Sequence, residues 1–116
     1  MTQSVLEKAT AHFNEMISGE LLKTHVEEWG VDIYYRTTSS MRTESKIMAL
    51  TQQGKTAEAL VESVILKSYD QDGKRIFKDS DRANLLNEAD PKVLITLATR
   101  LNNASDMSME DISKNL

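Results

Sequence analysis

Apolar positions recur first with a helical period, then at every second residue, then helically again. Between Ser4 and about Ser18, Val5, Ala9, Phe13, Met16 and Ile17 share one helical face. Thr2 or Ser4 is placed to cap that segment, Glu7 completes a capping box with Ser4, and Gly19 stands where a helix stops. From Leu21 to Arg36 the period falls to two. Leu22, Thr24 and Val26 alternate with Lys23, His25 and Glu27, and Val31, Ile33 and Tyr35 alternate with Asp32, Tyr34 and Arg36. β-branched and aromatic residues in that rhythm predict two strands, with Glu27 to Gly30 as the turn and Gly30 free to take positive φ. Two strands alone are marginal in water, so the hairpin must lean on helices or on a partner.

The helical period then returns. Thr37-Thr38-Ser39-Ser40 caps a segment from Met41 to about Gln53, ended by Gly54, with a thin stripe of Met41, Ile47, Met48 and Leu50. Thr56 is expected to cap a stronger helix from Ala57 to Tyr69. Its wide stripe of Leu60, Val61, Val64, Ile65 and Leu66 marks the central core helix. Asp70-Gln71-Asp72-Gly73-Lys74 reads as an Asx-type turn, followed by Ile76 and Phe77 as an apolar anchor. Asp79 or Ser80 begins a short helix carrying Ala83, Leu85 and Leu86. Asp90-Pro91 begins the next, with Leu94, Leu97, Ala98 and Leu101 on one face and Asn102-Asn103 at its end. The fold class is mainly α: a small helical domain with a short N-terminal β-hairpin, helix-dominated α+β. Residues 1–103 form one domain with the hairpin at about 21–36, and 104–116 are a short helix or a flexible C-terminal tail.

Composition narrows the function. The chain has 116 residues, enough for one modest core, and its 40% hydrophobic and 28% charged residues suit a water-soluble domain. No apolar run reaches the roughly 20 residues of a membrane span, so no membrane partner is expected. The opening Met1-Thr2-Gln3-Ser4 runs straight into an amphipathic segment, which argues against a leader. Zero cysteines exclude disulfides, thiolate catalysis and Cys-based zinc sites, and fit a reducing cytoplasm. The formal net charge of −4, with scattered basic residues, disfavours nucleic acid as a partner.

The motifs that carry chemistry elsewhere fail here. Aligning Gly73 with the sixth position of a calcium loop puts Ser68 at the first ligand, Arg75 at the eighth position and Asp79 where a bidentate Glu belongs. The turn reading wins. His12 and Glu15 share a helix face, but no further ligands converge on them, and His25 lacks a partner that spacing assigns. No nucleophile elbow surrounds any serine, and the four glycines form no phosphate loop. The reading is a non-enzyme, with no cofactor and no metal.

Aromatic residues point instead to protein contacts. Trp29, Tyr34 and Tyr35 account for three of the six aromatics and fall in the stretch from Val26 to Arg36. Trp29 is either a core residue of the hairpin, packing on the first or the central helix, or an interface hot spot. Alternation puts Tyr34 and Tyr35 on opposite faces, so a one-sided hairpin cannot bury both, and Tyr34 is the more exposed candidate. Met41 and Met48 add adaptable apolar surface. Trp29, Tyr34, Tyr35, Met41 and Met48 are the candidate partner-binding residues.

The order of these pieces resembles a family. Glu28-Trp29-Gly30 leads into the alternating strand that ends at Arg36. An apolar segment, Val64 to Lys67, precedes Asp70-x-Asp72-Gly73-Lys74-x-x-Phe77. Asp79-Ser80-Asp81 precedes Leu85-Leu86, and a Leu-rich helix runs from Leu97 to Asn103. Over about residues 20–103 the chain is similar to the tail assembly chaperones of long-tailed, lambda-like bacteriophages, specifically the short, non-frameshifted product. The resemblance implies a chaperone that binds the tape measure protein, keeps it soluble and helps recruit tail tube subunits in tail morphogenesis. It implies as further partners the tail tube protein, a longer frameshifted form of the same protein, and self-association. It also implies work in the host cell cytoplasm and absence from the mature virion. The alternative is a small acidic regulatory or DNA-associated helical protein, with Asp79 to Asn103 as its helix pair.

Overall fold

The computed structural model describes residues 4–103. In chain order these form α1 (Val5–Ile17), β1 (Leu22–Val26), β2 (Val31–Tyr35), α2 (Met41–Gln52), α3 (Thr56–Lys67), α4 (Arg82–Glu88) and α5 (Pro91–Asn102). Single 3-10 turns at Glu27–Trp29 and Asp79–Asp81 introduce β2 and α4. The predicted domain is therefore mainly helical with a short N-terminal antiparallel hairpin. Residues 104–116, expected as a short helix or tail, lie outside the described residues, as does Thr2.

Local chemistry sets most boundaries. The Ser4 hydroxyl accepts from the Glu7 N–H at 3.1 Å, and Ser40 accepts from the Thr43 N–H at 3.2 Å. Asp90 accepts from the Lys92 N–H at 3.0 Å, with Pro91 in the first helical turn, so one donor is capped and another is missing by design. Two boundaries differ from expectation. Thr56 is the first residue of α3 rather than its cap, and the helix ends at Lys67 rather than Tyr69. Tyr69 instead pairs with the hairpin: its N–H donates to the Tyr34 carbonyl at 2.8 Å, and its carbonyl accepts from the Tyr34 N–H at 2.9 Å. Backbone groups lost to the helix are satisfied at the sheet edge.

The core lies where α3 and α5 cross, with α4 on one side and the hairpin on the other. Val61, Val64 and Ile65 of α3 meet Val93, Leu94, Leu97, Ala98 and Leu101 of α5, and Leu85, Val26 and Ile33 complete the cluster. The hairpin register pairs Thr24 with Ile33 and Val26 with Val31. Thr24, Val26 and Ile33 are buried. The Thr24 hydroxyl accepts from Arg100 Nη1 of α5 at 2.6 Å, so the hairpin does lean on a helix. Gly30, at φ 65°, ends the turn between the strands.

The central helix is less apolar than its stripe implies. Glu62, Ser63 and Lys67 of α3 are all buried, and each is paired. Lys67 Nζ donates to Glu44 Oε1 of α2 at 2.9 Å and to Asn102 Oδ1 of α5 at 2.9 Å. Asn102 Nδ2 donates to the Ser63 hydroxyl at 3.0 Å. On another face Arg82 grips Glu62 Oε2 through Nε at 3.0 Å and Nη2 at 2.8 Å. These polar ties fix the mutual placement of α2, α3, α4 and α5, because a half-satisfied buried network costs more than an apolar core.

Candidate protein-interaction surface

The five candidate residues divide between the core and the outside. Trp29 sits on the 3-10 turn, half-buried, with its ring edge-on to Phe77 at 6.5 Å between centroids and 72° between planes. It packs against the core cluster from the α4 side, where it borders Asn84, Leu85 and Glu88, and not on α1. Tyr35 is half-buried and packs on the same cluster. Tyr34 is half-buried too. Alternation holds, and the Tyr69 segment bridges the open edge of the hairpin beside Tyr34. Ile76, expected as an anchor, is 39% exposed, while its neighbour Phe77 takes the anchoring role.

Met41 and Met48 behave differently. They stand seven residues apart on α2 and so share a face, and they are 77% and 55% exposed. Met41 borders an open cleft of about 450 Å³ whose opposite wall is Ala9 and Phe13 of α1. Trp29 and Tyr35 therefore pack against the core cluster, while Met41 and Met48 face outward.

A further apolar surface lies where no sequence motif pointed. Leu60, Leu86, Pro91 and Ile95 line a groove of about 270 Å³ between α3, α4 and α5. Leu86 and Ile95 are partly open to solvent, so the groove is shallow and wettable. Their helical spacing was visible in the sequence, but Leu86 falls beside the buried Leu85, and the pair read as one core stripe.

Electrostatics shape the surroundings of these surfaces. Burial works against the charge on Glu44, but hydrogen bonds from Lys67 and Ser39, and the Lys67 charge, outweigh it and hold the carboxyl below its ordinary value of 4.5. The Glu62 hydrogen bond raises Arg82 above its ordinary value despite desolvation. His25, without an assignable partner in the sequence, lies opposite Asp32 in the register, with Nδ1 2.7 Å from Oδ1. Among the described residues no group of three or more His, Asp or Glu is placed to hold a metal ion. Among them, too, no helix is long and apolar enough to cross a membrane. The apolar face of α5, with Leu94, Leu97, Ala98 and Leu101, is committed to the core, and of its two basic residues, Lys92 and Arg100, the second is tied to Thr24.

The class defined by this arrangement is a small helix-dominated domain with a docked two-stranded hairpin and exposed apolar surface. No protein-family model and no curated protein matches the chain. A solved structure does: that of the bacteriophage HK97 tail assembly chaperone, at a TM-score of 0.54 and 17% sequence identity, covering 84% of this chain and 93% of that one. The two chains share a fold.

Proposed function

We propose that the protein is a phage tail assembly chaperone, a non-enzymatic binder that holds the tape measure protein in soluble form and helps recruit tail tube subunits. One observation carries this reading: the fold of the HK97 tail assembly chaperone accounts for most of both chains. The ordered motifs from Glu28-Trp29-Gly30 to the Leu97–Asn103 helix end support it independently. The short, non-frameshifted product of a lambda-like phage is the form proposed. Its longer frameshifted form is a partner, and its place is the host cytoplasm rather than the finished virion.

Physical chemistry suits the role. A long amphipathic client helix is held by laying its apolar side into a shallow groove. The α3–α4–α5 groove around Leu86 and Ile95 offers one such surface, and Met41 and Met48 offer adaptable apolar contact beside it in function. Trp29, Tyr34 and Tyr35 act mainly in fixing the hairpin to the rest of the domain. Each site is weak, so many copies along one client supply avidity while remaining displaceable by tube subunits.

Co-expression tests the proposal. Cognate tape measure fragments that precipitate alone are expected to stay soluble with this chain and to co-purify with it. Fragments that remain insoluble, with no complex recovered, would refute it.

A further inference from the structure

The groove between α3, α4 and α5 presents apolar side chains that gain from further cover. Leu60, Leu86 and Ile95 line it, together with Ala57 from the first turn of α3 and Pro91 from the first turn of α5. Leu86 is 36% exposed and Ile95 49%. The start of α3 adds a preference of charge. Lys55 stands at its N-cap position and makes no side-chain capping bond, and Glu58 is the carboxylate of its first turn. Among the described residues, therefore, no N-cap side chain satisfies the first N–H groups of α3, where the helix carries partial positive charge.

Residues 104–116 of the same chain carry the matching pattern. Met109, Ile112 and Leu116 recur at i, i+3 and i+7, the spacing of one helix face. Ser108 precedes them with Asp111 three positions on, the spacing of a capping box. Asp106, Glu110 and Asp111 set carboxylates against the ammonium of Lys114, the sign of charge that a helix start favours. The reach is sufficient. Ile95 lies eight residues before Asn103, about 12 Å along the α5 axis. Residues 104–108 extend over as much as about 17 Å, so the segment can double back to the groove. So short a connection holds a segment at roughly millimolar effective concentration, which favours it over the same segment of another copy.

We propose that residues 104–116 fold back antiparallel to α5 as a helix and lay Met109, Ile112 and Leu116 into the α3–α4–α5 groove of their own chain. The chain then covers its own apolar surface until a partner displaces the segment. The inference rests on the function proposed above only for the identity of that partner. An amphipathic client helix offers the same i, i+3 and i+7 anchors, so segment and client compete for one groove. Occupancy by the segment lowers the apparent affinity for the client and shields the groove from non-specific apolar contact. Failure of the inference leaves the chaperone proposal standing, because its test involves no client.

The test uses the full chain, which has no cysteine of its own. An Ile95→Cys/Ile112→Cys double variant, oxidised in dilute solution, is expected to close a disulfide within one chain at a rate independent of protein concentration. A Met48→Cys/Ile112→Cys variant, whose first thiol lies on the outward face of α2, should close at least about tenfold more slowly. In a chain without added cysteines, Ile112→Asp should shift the methyl resonances of Leu86 and Ile95. The buried Ile33 methyls should stay in place and report an intact body. Equal closure rates for the two pairs, linkage only between chains, or Leu86 and Ile95 methyls unmoved by Ile112→Asp would each overturn the proposal.

Discussion

The Lys67 ammonium of α3 lies 2.9 Å from the Glu44 carboxylate of α2, and the two residues are 23 positions apart. The lysine side chain is 11% exposed and the glutamate 39%, so the cation is the desolvated partner. Asn102 of α5 supplies its other acceptor, at 2.9 Å. Three helices thus meet at one ammonium group.

That asymmetry predicts unequal losses. Glu44→Ala strands a buried cation with a single amide acceptor, whereas Lys67→Met removes the charge and keeps the apolar stem. Glu44→Ala should cost about 2 kcal/mol, and Lys67→Met about 1 kcal/mol or less. Urea unfolding of both variants checks the order, and the reverse order would show that the carboxylate contributes little.

The same pair gives a pH dependence. The Glu44 carboxyl titrates lower in the folded chain than its ordinary 4.5. Its contribution is therefore fully present above about pH 4.5 and is lost as pH falls through the lowered folded value, since the unfolded chain then binds the proton more readily. Stability measured from pH 6 to pH 3 should fall less steeply in Glu44→Gln than in the natural chain. Equal slopes would remove Glu44 as a source of acid sensitivity.

Trp29 should prove structural. Its truncation removes the edge-on contact with Phe77 and the apolar cover of the core near Leu85. Trp29→Ala is expected to lower stability by about 2–3 kcal/mol. The client should still be held by the fraction that remains folded. Chemical denaturation followed by circular dichroism measures the first, and client capture normalised to folded protein measures the second. Full stability with lost capture would place Trp29 at the interface instead.

Two glycines should respond differently. Gly30 has φ 65° with open space where a Cβ would go, so Gly30→Ala carries only the left-handed backbone cost, about 1 kcal/mol. Gly73 has φ 82° and an ideal Cβ would stand 3.2 Å from the Arg36 guanidinium. That guanidinium lies 5.0 Å from the centre of the Tyr69 ring and also holds the end of α1. Gly73→Ala should therefore cost more and loosen α1, which amide hydrogen exchange at its last turn would register.

What the sequence disclosed was mostly local. The turn to Gly30, the Asp70 side chain accepting from the Asp72 and Lys74 N–H groups, and Asp90 ahead of Pro91 each depend on residues a few positions apart. The α5 stripe was legible because all four of its positions are buried. Periodicity defines a face but not what covers it, so the equally regular stripe of α1 did not disclose that none of its residues is buried. The Lys67–Glu44–Asn102 junction and the bridge of Tyr69 to Tyr34 join distant positions that no local pattern relates. The groove at Leu86 and Ile95 went unseen for the same reason: it exists only once α3, α4 and α5 are packed.

An apolar client helix is expected to lie on this groove and on the outward α2 face. The most direct test is a methyl NMR titration of the chain with a soluble amphipathic fragment of the cognate tape measure protein. Saturable shifts are expected at Leu60, Leu86, Ile95, Met41 and Met48, with the buried methyls of Ile33, Val64 and Ile65 little changed. No saturable shift at any methyl, or shifts confined to residues outside the groove and the α2 face, would contradict it.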